Sequence, residues 1–326
     1  MRALDDNRAR LLAQVSSLYY EDGFAQEEVA RRAGISRSNV SRLLTEARSR
    51  GIVEIHVHHP LPTSLRLETE LRARFRLRKA RVLTSGTRSA DLILRDTGVL
   101  AAELLGNLLR NDMILGVGWG MALFETVNAF HPVPLENVRV VQMIGGMAGS
   151  NATVSQHDGP ALVRRLAEAV GGQFRYLHAP NFVENAEVRN ALMSERNVRE
   201  CLEMAGRAEV GLVGIGSVNP DISGFVRAGY LSREELQDIA RTGAVGEVCG
   251  FYIDVRGKQT PLELHQRLVS IEPHMLKQID CVVAVAAWKE KAPAILGALR
   301  AGLVDILVTD DGAALEVLRL ADGAEG

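Results

Sequence analysis

The chain has 326 residues, with 38 Lys and Arg against 40 Asp and Glu for a formal net charge of −2. That length is more than a DNA-binding module needs and suggests about two domains. Near-neutral charge argues against indiscriminate nucleic-acid binding, no apolar run approaches the roughly 20 residues of a membrane span, and the polar start MRALDDNRAR reads as neither a signal nor a transit peptide. Cys201, Cys249 and Cys281 are scattered, each in or beside an apolar stretch. They lack metal-ligand spacing, so no metal is expected, and they read as small buried hydrophobes in a reducing cytoplasm.

Residues 7 to 20 are expected to form a first helix with Ala9, Leu12, Val15, Leu18 and Tyr19 inward. The next segment, QEEVARRAGISRSNVSRLLTEARSRGIVEI, has the punctuation of a helix-turn-helix that enters DNA. Val29, Ala30 and Ala33 give a short helix a small apolar face, Gly34 supplies the turn, and Ile35 plugs the space between helices. Ser36 is a good N-cap for a second helix running to about Ser49, with Val40, Leu43, Leu44 and Ala47 inward. Gln26, Ser36, Arg37, Ser38, Asn39, Ser41 and Arg42 are then the candidate contacts to double-stranded DNA. Val53 to Val57 reads as a short β segment, the wing of a winged helix. There His56 and His58 alternate outward from Val53, Ile55 and Val57, an arrangement that explains the histidines without a metal. The DNA-binding domain is placed at 1–58.

A linker helix is placed at 59–79. Its Leu67, Leu71 and Phe75 form one narrow apolar seam, suited equally to a second copy of the chain or to docking on a larger domain. Seven basic residues (Arg66, Arg72, Arg74, Arg76, Arg78, Lys79, Arg81) face Glu68 and Glu70 over residues 66–81. They read either as a solvated helix face or as a basic segment that assists DNA affinity.

From Ala80 to the end, apolar strand-like runs alternate with helical ones. The strand-like runs are ARVLTS, MILGVG, VRVVQMIGG, FRYLHA, EVGLVGIGS, VCGFYID, DCVVAVAA and VDILVTD. Strands apolar on both faces and separated by helices predict a doubly wound α/β domain with a mostly parallel sheet over 80–326. Ligands of such sheets bind outside the carboxyl ends of the strands. Glycine-rich loops stand at two such ends, Gly116-Val117-Gly118-Trp119-Gly120 before the helix MALFETVNAF and Gly214-Ile215-Gly216-Ser217. Neither is the dinucleotide fingerprint, and no Gly-Lys-Ser/Thr phosphate loop occurs, so no cofactor is expected. Lys291, where a buried strand gives way to a helix, can reach into the same cleft or stay in solvent.

Taken together the chain resembles the SorC family of bacterial sugar-binding transcriptional regulators, related to the deoxyribonucleoside and central glycolytic gene repressors. The likeness spans nearly the whole chain. It rests on ISRSNVSRLLTEARSRGIVEIHV, LGVGWGMAL, VVQMIGG, VGLVGIGSV, GAVGEVCGFYID and KAPAILGALRAGLVDILVTDDGAA, in the family's order. The resemblance implies a large domain similar to sugar-phosphate isomerases, binding a sugar, polyol or sugar phosphate that controls operator binding. It also implies a cytoplasmic homo-oligomer, a dimer or tetramer, acting as a repressor or an activator. By matching motifs the effector contacts would be the backbone of Gly118, Trp119, Gly120 and Met121, with Gln142, Gly216, Glu247 and Lys291. Met121 stands where phosphate-binding relatives show hydroxylated or basic residues, and Glu247 where Asp is commoner. Both departures lean toward a neutral polyol or free sugar. The alternative reading is an isomerase-like enzyme fused to a DNA-binding unit, with Glu247 as the one candidate base.

Overall fold

The computed structural model describes residues 6–53, 61–146 and 158–323. The chain divides into two compact units, Met1–Pro60 and Leu61–Gly326.

The smaller unit is built on three helices, Asp6–Ser16, Gln26–Ala33 and Arg37–Ser49, the first running on into a π-helical turn, Ser17–Glu21. Leu12, Val15, Val29, Ala30, Val40, Leu43, Leu44 and Ala47 make its core, and Ile35 packs against them. Gly34, at φ 65°, ends the second helix in the left-handed conformation. The Ile35 N–H reaches back to the Ala30 carbonyl at 3.0 Å, so the turn satisfies carbonyls that the helix end would leave open. The third helix starts where the sequence predicts, with the Ser36 hydroxyl accepting from the Asn39 N–H at 3.3 Å. The wing expected over Val53 to Val57 lies, apart from Val53, outside the described residues.

The larger unit holds a seven-stranded sheet in the order β1-β10-β9-β5-β2-β3-β4, every pair parallel. Its strands are β1 (Lys79–Leu83), β2 (Ile114–Val117), β3 (Arg139–Gln142), β4 (Gln173–Arg175), β5 (Val210–Gly214), β9 (Cys281–Val285) and β10 (Ile306–Asp310). Neighbouring residues on one strand enter opposite cores. Val141, Val282 and Leu307 join one apolar cluster, while Val140, Val283 and Val308 join the other. Both faces are therefore covered by helices, as a parallel sheet requires. The run VCGFYID departs from the expectation of a parallel strand. Phe251–Asp254 is β8 of a separate antiparallel sheet with β6 (Gly216–Ser217) and β7 (Ala244–Val248).

The helix Leu65–Phe75 is no free linker. Leu67 and Leu71 are buried in one of the large unit's cores and Phe75 packs against it. The seam is thus occupied within the chain and is unavailable to a second copy. Much of the basic stretch is paired locally: Arg66 with Glu70, Arg74 with Asp322, Arg78 with Asp305 and Arg81 with Glu68. Among the described residues no helix is long and apolar enough to cross a membrane, and no cluster of His, Cys, Asp and Glu could hold a metal.

Candidate functional site

In chain order β2, β3 and β4 spread to one side of the sheet, and β5, β9 and β10 to the other. The reversal lies between β2 and β5, where two crossover connections diverge and open a crevice at the strand ends. A cavity of about 600 Å³, its open mouth included, lies there. Its walls include Gly118, Trp119, Gly120, Met121, Gly216, Glu247 and Lys291, all seven from four separate stretches of sequence.

Each wall residue has a local cause. Gly120 caps the helix Met121–Ala129 at φ 124°, a conformation side chains rarely adopt. It turns the helix N-terminus, with its unpartnered first-turn N–H groups, toward the cavity. Gly216 makes room: a Cβ there would lie 2.0 Å from Glu247 Oε1. Glu247 sits on β7 one residue before its hairpin end, where Val248 pairs with Phe251. The two-residue turn Cys249-Gly250 has φ 51° and 84°, the positive pair such hairpins use. The Gly250 N–H donates back to Glu247 Oε2 at 2.7 Å. Trp119 meets the Phe225 ring edge-on at 5.1 Å and so stands as a fixed wall.

Lys291 comes from the turn after β9. Its Nζ donates to the Ile215 carbonyl at 2.8 Å and lies 5.7 Å from the centre of the Trp288 ring. Trp288 itself has φ 86° and ψ 135°. Such a backbone strains a tryptophan by on the order of 1–3 kcal/mol and persists only where neighbours fix it.

Burial pushes the Glu247 carboxyl up to about 7, against the pull of the Gly250 N–H and the Lys291 ammonium. Burial drives Lys291 down to about 8, with Glu247 raising it and the Arg227 guanidinium lowering it further. Both side chains keep some solvent-facing area at the mouth, although their charged ends are surrounded by protein. The carboxylate and ammonium influence each other across the cavity without a direct ion pair. A carboxyl that titrates near neutrality can bind hydroxyls as an anion or act as a general base.

Two expected contacts are corrected. Gln142 is fully buried away from the cavity. Its Nε2 donates to the Ile144 carbonyl at 2.7 Å and its Oε1 accepts from the Leu177 N–H at 3.1 Å. The amide stitches the chain together beyond the ends of β3 and β4, and its full burial outside the cavity wall keeps it from a ligand there. Gly118 lines the cavity, but its N–H is taken by the Leu212 carbonyl at 2.9 Å. Arg227 was missed by sequence reasoning. It is exposed, and its Nη1 rests on Met121 Sδ at 2.9 Å while Nη2 donates to the Asp221 carbonyl. No sequence signal marks it, because the helix Gly224–Arg227 that carries it is four residues long.

On the smaller unit, Ser36, Arg37, Ser38, Ser41 and Arg42 are exposed, and Gln26 and Asn39 are half-buried. Arg42 is held by Asn39 Oδ1, and Arg37 pairs with Glu27 at 3.3 Å on an open surface. An exposed pair of this kind contributes little and yields readily to a phosphate.

The sugar-binding domain family matches residues 59–319, and region 4 of sigma-70 matches 12–50, the helix-turn-helix. The transcriptional regulator LsrR of Enterobacter sp. (strain 638) is 34% identical over 316 residues, covering 95% of this chain and 93% of the relative. The deoxyribonucleoside regulator of Bacillus subtilis (strain 168) is 28% identical over 307 residues, covering 94% and 96%. Among solved structures, the full-length sorbitol operon regulator SorC from Klebsiella pneumoniae superposes with a TM-score of 0.77 at 28% identity, covering 97% of this chain and 100% of that one. An N-terminal helix-turn-helix and a doubly wound sugar-binding unit in one continuous match place the chain in the SorC family of sugar-binding transcriptional regulators.

Proposed function

We propose that a small sugar, polyol or sugar phosphate binds in the cavity at the β2/β5 crevice and changes the affinity of the helix Arg37–Ser49 for operator DNA. The observation that carries this reading is the convergence of a carboxylate, an ammonium and a helix N-terminus on one cavity. Glu247 would accept from vicinal hydroxyls, and Lys291 would exchange its bond to the Ile215 carbonyl for a ligand oxygen. Met121 offers no strong donor, which favours a neutral polyol. Arg227 beside it adds a second cation to Lys291 and favours an anionic ligand, so the two observations define the pair of ligand classes to compare. Operator binding would need at least a dimer, because one short recognition helix reads few bases. The protein would then act in the cytoplasm, where its DNA is.

Thermal-shift screening with sugars, polyols and their phosphates should find a compound that raises the melting temperature of the protein. Fluorescence anisotropy with DNA selected by the protein from a random library should then show that compound changing Kd. The protein–DNA complex must bind the compound with an affinity changed by the same factor. A compound that binds the cavity without altering Kd for DNA would refute the regulatory reading.

The isomerase-like reading has one observation in its favour, the Glu247 carboxyl near 7. It requires turnover of aldose or ketose phosphates that vanishes in Glu247→Gln.

A further inference from the structure

We propose that Asp310, outside the cavity, is the positioning residue that aims Lys291 into it. Asp310 ends β10 and is buried. Its Oδ1 accepts from the Ala313 N–H at 3.0 Å and caps the helix Asp311–Asp322. Its Oδ2 accepts from the Trp288 N–H at 2.6 Å. That second bond holds the one tryptophan whose backbone is left-handed, at φ 86°. The Trp288 carbonyl in turn accepts from the Lys291 N–H at 3.0 Å, closing the short turn that carries the ammonium to Ile215. The Trp288 indole N–H donates to the Ala90 carbonyl at 2.9 Å and anchors the other end of the same residue.

A tryptophan left to itself would rotate out of this region of φ and ψ. The carboxylate opposes that by fixing the Trp288 N–H through a charge-assisted hydrogen bond, while the Ala90 carbonyl fixes the indole. Among the described residues no lysine or arginine forms an ion pair with Asp310. Burial raises its proton affinity, and the two N–H donors oppose that rise. The carboxylate is thus an acceptor serving two backbone sites, one structural for the last helix and one that sets where Lys291 points.

The proposal rests on reading the cavity as the effector pocket for its functional meaning, but its test needs no ligand. Competitive acetylation of the full chain with acetic anhydride across pH 6–11, read by peptide mass spectrometry, gives the apparent pKa of Lys291. In the parent protein this should lie near 8. Asp310→Asn keeps an oxygen for the helix cap but offers its amide to the Trp288 N–H. Asp310→Ser keeps a cap and is too short to reach Trp288. Both should move Lys291 toward the ordinary lysine value near 10.5 and lower its labelling at pH 7–8 severalfold, because less of the amine is then unprotonated. The same substitutions in a Trp288→Gly background should leave Lys291 near 8, because glycine adopts the left-handed backbone unaided. A shift of equal size in both backgrounds, or no shift in either Asp310 variant, overturns the proposal. A purely capping role would give the second result.

Discussion

Replacing Glu247 by Gln tests the electrostatics of the cavity without requiring its ligand. The carboxyl titrates near 7 in the fold and near 4.5 in the unfolded chain. The folded protein therefore holds a proton there between pH 4.5 and pH 7 that the unfolded chain has released. The sign follows: the parent loses stability as pH rises through this window, and the loss levels off above about 7. Integrating the two titration curves from pH 5 to pH 8 gives a loss of about 2.5 kcal/mol as an upper bound. Water at the open mouth screens part of the charge and trims this toward about half. Lys291 loses its carboxylate partner in the variant, which trims the gain again. Glu247→Gln should thus be more stable relative to the parent at pH 8 than at pH 5, by about 1–2.5 kcal/mol. Urea unfolding followed by tryptophan fluorescence is the assay, because both tryptophans, Trp119 and Trp288, belong to the larger unit and report on it alone. If variant and parent keep a constant stability difference from pH 5 to pH 8, the carboxyl is not the buried acid described above.

Asn39→Ala should change base preference at one operator position by about 1–3 kcal/mol, while Arg42→Ala should weaken binding to all sequences and flatten its salt dependence; a double variant that binds as the parent does would refute both roles. Gly216→Ala forces the Glu247 carboxylate from its place and should abolish the ligand-induced thermal shift, with operator affinity kept, as checked by anisotropy. Binding of a neutral polyol should strengthen as pH rises through about 7, where Glu247 ionises, and binding of an anion should weaken above about 8, where Lys291 loses its proton; calorimetric titration across pH 6–9 separates the two. Light scattering of the operator complex should give at least two chains per duplex, and a monomeric complex of equal affinity would exclude the dimer requirement.

What the sequence made legible was what local chemistry decides. Ser36 and Gly34 carry their helix boundaries in their own side chains or lack of them, so the third helix of the small unit starts where it was expected. The glycine after β2 and the lysine after β9 line one cavity because strand ends of a parallel sheet gather at one edge. What stayed hidden depends on partners distant in the chain. The Leu67, Leu71, Phe75 seam shows that a helix must be covered and cannot say by what. Gln142 at a strand end can turn toward ligand or toward Ile144 and Leu177, and only the packed neighbours decide. The strand Ala244–Val248 alternates small residues with Glu247, a pattern too mild to announce β7. The second bond of Asp310 spans 22 residues.

The main chain leaves the parallel sheet at Gly214 and enters the antiparallel one at Gly216, so the single residue Ile215 is the splice between two independently hydrogen-bonded frameworks. Its carbonyl is the oxygen on which Lys291 rests. A molecule that draws the ammonium away would change the load on that splice, and on no other part of either ladder directly. The Ser270 hydroxyl braces the same two frameworks a second time, reaching the Met143 and Cys249 carbonyls, so a displacement at Ile215 would turn one about that brace as a small tilt. Occupancy of the cavity would then be legible far across the unit as an angle, with no need for either sheet to deform internally.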